Sequence, residues 1–265
     1  MVEFKFKEKY TIDDLVQIIR LLRGEGGCPW DMQQTHQSIR NNVIEEAYEV
    51  ADAVDTNDKA ALCEELGDLL MQVVFHARIA EESGDFNLDQ VADEVCQKLV
   101  HRHPHVFGTV KADTVGQVLD NWDAIKMEEK NQQTYTDTLL SVPRAFPGIM
   151  RAAKVQKRAA KVGFDWPDSN GAWDKLNEEI AEVREAERSG DADALVDEVG
   201  DLLFSVVNVT RFLKVDGEEA ISKATDKFIS RFDMMERLAV AKGLNLKDLS
   251  LSEMDALWDE IKQNS

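Results

Sequence analysis

Two short acidic patterns recur at matching places in the two halves of this 265-residue chain. E-E-x-x-E stands at Glu45, Glu46, Glu49 and again at Glu178, Glu179, Glu182; E-x-x-D stands at Glu65, Asp68 and again at Glu198, Asp201. Residues three apart share a face of a helix, so Glu179 pairs with Glu182 and Glu198 with Asp201, as Glu46 does with Glu49 and Glu65 with Asp68. Antiparallel helices can bring two such pairs together. Four carboxylates held close repel one another unless cations neutralise them, and an oxygen-only donor set suits Mg²⁺ or Mn²⁺ rather than Zn²⁺. The bland alternative is a solvated acidic face. Around the second E-x-x-D, Leu195, Val199, Leu202 and Val206 form an apolar stripe. Glu198 and Asp201 border it, and Ser205 and Asn208 continue their row. A half-buried polar row is costly without partners, which favours the metal reading. An iron-carboxylate bundle needs Glu-x-x-His pairs, and none of the five histidines lies three residues after a glutamate.

Cations follow further along. Lys227 and Arg231 are four apart and share a face, as do Lys98 and Arg102. Such pairs suit phosphate oxygens remote from a metal, or plain exposed ion pairs. Trp258 suits either base stacking or core packing, and Trp166 reads as a core residue. No Ser/His/Asp or Cys/His arrangement is recognisable, so no covalent intermediate is expected.

The elements that must position these groups are helices. Cap and period signals predict a first helix after Thr11, a second over about 37–54, and a third from Asn57 or Asp58 to Ser83. A fourth follows Asn87, with Leu88, Val91, Val95 and Leu99 inward, and a fifth covers about 114–130. Residues 131–147, with Pro143 and Pro147, read as a linker. Helical pattern resumes over about 148–162, 172–189, 192–213, 218–242 and 252–263. Strand-like alternation is almost absent, so the chain reads as all-α and bundle-packed.

The halves also repeat in order. Gly27–Trp30 lies against Gly163–Trp166, and both acidic motifs recur at an offset of 133 residues. Lys98 and Arg102 match Lys227 and Arg231, and Trp122, Asp123, Ile125, Lys126 match Trp258, Asp259, Ile261, Lys262. Order, spacing and chemistry kept across five blocks indicate a duplicated unit. The expected division is 1–130, the linker 131–147, and 148–265.

Composition bounds the partners. Apolar residues make up 43% and charged residues 31%, enough for a core, and the formal net charge is −20. That field opposes nucleic-acid binding. Three dispersed cysteines, no apolar leader and no long apolar run predict a cytoplasmic protein with neither disulfides nor a membrane span.

Over nearly its whole length the chain resembles the MazG family of nucleoside triphosphate pyrophosphohydrolases. The resemblance is carried by the E-E-x-x-E and E-x-x-D signature, by Gly27-Cys-Pro-Trp-Asp31, by His101-Arg-His-Pro-His-Val-Phe107 and by Val162-Gly-Phe-Asp-Trp166. It implies an all-α fold of two repeated bundles that hydrolyses NTPs and dNTPs to the monophosphate and pyrophosphate. It also implies a homodimer and a main catalytic C-terminal unit. Some members are linked to clearing aberrant nucleotides or to starvation signalling. By resemblance, Glu179, Glu182, Glu198 and Asp201 bind Mg²⁺, and Lys175, Lys227, Arg231 and Trp258 contact the nucleotide. Glu178 is the candidate to orient or deprotonate the attacking water, with Glu178, Glu179, Asp201 and Asn208 also facing the substrate. The first unit keeps Glu46, Glu49, Glu65 and Asp68. However, it has Asn42 where the second has Lys175 and Phe75 where the second has Asn208, and Pro104 cuts its basic helix short. It is therefore expected to be weak, regulatory or structural. The alternatives are a narrow-specificity dNTP pyrophosphatase and a non-enzymatic helical adaptor.

Overall fold

The computed structural model describes residues 4–112, 114–129 and 132–263, apart from the side chains of residues 119, 120, 123, 124, 127 and 128. The described residues form helices and no strand. They divide into two compact units, Met1–Lys126 and Met127–Ser265.

In the first unit the helices are α1 (Ile12–Arg23), α2 (Pro29–Gln33), α3 (Arg40–Asp55), α4 (Lys59–Ser83), α5 (Leu88–Arg102), α6 (Pro104–Phe107) and α7 (Val115–Glu129). Thr11 caps α1 and Asn87 caps α5, each in a reciprocal box with the third helical residue. The acidic helices α3 and α4 pack along one another. The turn between them places Asn57 at φ 54°, after which Asp58 caps α4 through the amides of Ala60 and Ala61. The core gathers Ile19 of α1, Ile39, and Val74, Phe75 and Ile79 of α4. Beside it, the nearly buried Arg23 forms a two-pronged pair with Glu82 at 2.7 and 3.1 Å and donates to the Asp31 and Gln34 carbonyls.

The second unit repeats this plan after α8 (Tyr135–Leu140). Its helices are α9 (Gly148–Lys161), α10 (Ser169–Ser189), α11 (Ala192–Phe212), α12 (Gly217–Ala241) and α13 (Leu251–Gln263), with a short 3₁₀ turn at Leu246–Asp248. The acidic helices are now α10 and α11. Gly190 takes the left-handed turn position of Asn57, and Asp191 caps α11 as Asp58 caps α4. Both residues lie at the 133-residue offset, so the duplication extends to the backbone of the turn. Within residues 131–147, read above as a linker, α8 packs on α9 and Arg158 donates to the Thr138 carbonyl and to Ser141 Oγ. Lys130 and Asn131 lie outside the described residues. At the far end, Met235 and Ala239 of α12 enclose Leu257 of α13, with Trp258 packed beside them.

Two inward assignments are corrected. Val95 and Leu99 of α5 are each 48% exposed. On α11, Val199 and Val206 are exposed, whereas Ser205, Val207 and Val209 are buried. The apolar row Val199, Leu203, Val206 has its counterpart in Leu66, Leu70, Val73 on α4, and both rows face solvent in the single chain. The physical reason is that periodicity reveals an apolar face but not which neighbour covers it.

The Arg23 network gives a stability test. Arg23→Met takes a donor from Glu82, which keeps Arg78, and from the Asp31 and Gln34 carbonyls, and it is expected to destabilise the full chain by about 2 kcal/mol in urea denaturation. An unchanged midpoint and slope would show that the network contributes nothing.

Candidate active site

Because α10 and α11 run alongside each other, three carboxylates meet. Glu179 and Glu182 from α10 and Glu198 from α11 offer oxygens within 4.8 Å of one another. The first unit assembles Glu46, Glu49 and Glu65 in the same way. The fourth residue of each expected quartet lies outside this mutual 4.8 Å set. Asp201 is exposed and lines the adjoining cavity with Glu179, while Asp68 is close enough to Glu46 and Glu65 to raise both their pKa values.

Glu179 is the buried member, 2% exposed. One of its oxygens meets Lys175 Nζ at 2.6 Å, and the other, Oε2, is buried without a hydrogen-bond partner. Lys175 also meets Glu178 at 2.8 Å and approaches Glu182 at 4.0 Å. Hydrogen bonds to Glu178 first and Glu179 second push the Lys175 pKa above its ordinary value. Glu182 is pushed up, chiefly by desolvation and further by Glu179 and Glu198. One ammonium thus faces three carboxylates. An orphaned buried carboxylate oxygen within an all-oxygen cluster fits a hard divalent cation.

In the first unit Glu46 has no ammonium. Its partner is the neutral Gln72 amide at 3.4 Å, and burial pushes its pKa up. Burial does the same to Glu65, with Glu64, Asp68 and Glu46 adding to it. Phe75, at the position of Asn208, lies under the Arg23 guanidinium, 5.1 Å from ring centre to charge.

Beside the second cluster lies a cavity of about 660 Å³. Lys175, Glu179 and Asp201 line it together with Gln156, Asn208 and Arg211. Its wall depends on the loop after α9. Gly163 turns the chain at φ 85°, and Asp165 is then clamped by Arg211 at 2.5 and 2.7 Å, which holds its carboxyl below the usual range. Trp166 follows, its ring lying against Gly171 so closely that a Cβ there would meet Cδ1 at 2.2 Å. Trp166 was read as core, but it is 39% exposed and lines the cavity. The Gly171 that leaves room for the ring, five residues on, was the signal available in the sequence. Gln156, Asp165 and Arg211 were also missed, because nothing local ties their positions to the acidic helices.

The remaining expected residues lie elsewhere in the chain. Lys227 and Arg231 sit four apart on α12, and Trp258 sits on α13 with its ring 5.2 Å from Phe228. None of the three lines the cavity of its own chain. Trp258 is both a core neighbour and a partly exposed ring.

Comparison with known proteins agrees with this geometry. The family model of the MazG nucleotide pyrophosphohydrolase domain matches residues 34–107 and 170–235, one span per unit. The chain is 42% identical over 250 residues to the nucleoside triphosphate pyrophosphohydrolase/pyrophosphatase MazG of Thermotoga maritima, covering 94% of this chain and 95% of that one. It is 43% identical over 255 residues to the nucleoside triphosphate pyrophosphohydrolase of Escherichia coli K12, covering 95% and 97%. An uncharacterised Bacillus subtilis protein, YabN, is 48% identical over 251 residues, which span 93% of this chain and 50% of that protein.

The cluster predicts a cation effect that needs no substrate. Millimolar Mg²⁺ should raise the thermal midpoint of the protein by binding the folded state alone, and Glu179→Gln should remove most of that rise. A rise of equal size in the variant would place the cation elsewhere.

Proposed function

The chain belongs to the MazG family and is a nucleoside triphosphate pyrophosphohydrolase, and from that premise we propose that Mg²⁺-dependent turnover takes place in the second unit, 148–265. The hydrolysis yields the nucleoside monophosphate and pyrophosphate, which sets aside the non-enzymatic adaptor. The observation that carries the assignment to this unit is the buried, unpartnered Glu179 Oε2 beside Lys175 at the mouth of a nucleotide-sized cavity. The first unit keeps its carboxylates but has no ammonium on Glu46 and has Arg23 over Phe75 where the second unit's cavity lies.

Glu179, Glu182 and Glu198 would hold Mg²⁺, with Asp201 available from the cavity side; Mn²⁺ meets the same oxygen donors. When bound, the ion neutralises phosphate charge and lowers the pKa of a water. Lys175 is shared among carboxylates in the free protein, so an arriving triphosphate can take over part of its hydrogen bonding. Glu178 is exposed and oriented by Lys175, and it positions the attacking water and takes its proton. Water attacks the α-phosphorus in line and pyrophosphate leaves. Asn208 meets the nucleoside portion in the cavity.

Lys227, Arg231 and Trp258 complete the substrate contacts in a homodimer, where a second copy supplies them to the leaving phosphates and the nucleoside. Two observations support this arrangement. These residues do not reach the cavity of their own chain, and the apolar row Val199, Leu203, Val206 beside the cluster is exposed in the single chain. A row of that kind on an acidic soluble protein marks an interaction surface.

With ATP and Mg²⁺, product analysis should give AMP and pyrophosphate. Glu179→Gln should lower kcat at least about 100-fold, while Glu46→Gln should stay within about twofold of the parent. Equal losses in both variants would defeat the division of labour between the units. Mixing Glu179→Gln with Arg231→Ala protein, each inactive alone, should restore about a quarter of parental activity if copies exchange randomly in a two-fold dimer. No recovery after demonstrated exchange would return Arg231 to its own chain's site.

A further inference from the structure

Among the residues that line the cavity is a polar side chain that the hydrolytic chemistry does not use. Gln156 is 6% exposed and lies on α9. Its Nε2 donates to the backbone carbonyl of Phe204 at 2.8 Å. A carbonyl can only accept, so this bond fixes which way the amide points. Its Oε1 then borders the cavity, buried and without a hydrogen-bond partner. A buried acceptor left unpaired costs about 1–3 kcal/mol, so it calls for a donor from whatever fills the cavity.

The neighbouring amide is oriented in the complementary sense. Asn208 Oδ1 accepts from Arg211 Nε at 3.1 Å and Nη2 at 2.7 Å, and Arg211 is itself held by Asp165. With its oxygen engaged, Asn208 has its NH₂ group left to donate. The cavity wall thus offers one fixed acceptor and one fixed donor, together with the Trp166 ring. Each nucleobase edge presents an N–H next to an acceptor, and an indole face suits base stacking. The spacing also matches: Asp201 and Asn208 are seven residues apart on α11, about 10 Å along the axis, a span that a ribose and an α-phosphate can bridge. The family model's second span begins at residue 170 and so does not include Gln156. In the first unit the aligned block Gly27–Trp30 puts Arg20 at the position of Gln156, and Arg20 is bound to Glu81.

We infer that Gln156 is a specificity-determining residue: its Oε1 accepts a hydrogen bond from an N–H on the edge of the nucleobase, while Asn208 donates to the adjacent acceptor. This rests on the second unit being the hydrolytic one. A pattern that all common bases can satisfy gives broad use of NTPs and dNTPs, with selection against bases that lack an edge N–H.

The test compares ATP with purine riboside triphosphate, which lacks the 6-amino group and so has no donor on that edge. Full-length protein with Mg²⁺ should show a kcat/KM for ATP about 10-fold or more above that for the analogue, the size expected for one buried hydrogen bond. Gln156→Leu and, as a second variant of closer shape, Gln156→Met should lower ATP turnover to the level of the analogue. Turnover of the analogue itself should stay within about twofold, which also reports that the variants fold. CTP and pyrimidin-2-one riboside triphosphate repeat the comparison for a pyrimidine. The inference is overturned if the parent protein shows no preference within either pair, or if the folded variants lose both members equally. Failure of the underlying reading would look different, with no pyrophosphate released from any nucleotide by the parent protein.

Discussion

The constraint on which the second unit depends is the crowding of negative charge between two antiparallel helices. Glu179, Glu182 and Glu198 are brought within 4.8 Å by the packing of α10 on α11, and among the described residues Lys175 is the cation that meets Glu179 and Glu182. Such an arrangement persists because the rest of each helix supplies the packing and the capped turn at Gly190–Asp191 fixes the register. The site is thus assembled at the expense of local electrostatics, as is usual where binding energy is reserved for a charged ligand. The high Lys175 pKa and the raised Glu182 pKa are two aspects of that excess.

The two units share this plan and differ in how they finish it. Both turn with a left-handed residue, cap the second acidic helix with Asp, and gather three glutamates. The second unit adds an ammonium and places Gln156, Trp166 and Asn208 around an open volume. In the first, Arg23 and Phe75 lie against each other and Glu82 holds the guanidinium. The buried guanidinium has carboxylate and carbonyl partners that satisfy its donors.

Much of the fold was legible because helices declare themselves locally. Thr11, Asp58, Asn87 and Asp191 cap the helices that follow them, and the 133-residue repeat identified the acidic pairs. The metal-type cluster was readable for the same reason, since three-residue spacing on neighbouring helices converges whatever the details of packing. The short helices α2, α6 and α8 were missed because four to six residues carry too little periodicity to register.

From the sequence alone came the all-α class, the duplication, the acidic pairs and the unequal chemistry of the two halves, because each depends on spacing within or between locally encoded helices. Tertiary structure alone decided that Asp201 lines the cavity beside Glu179, that Trp166 is a wall rather than core, and that Gln156 and Asn208, 52 residues apart in the chain, line one cavity. Those outcomes turn on which helix covers which face. A periodic pattern shows that a face must be covered, and only the three-dimensional path of the chain determines what covers it.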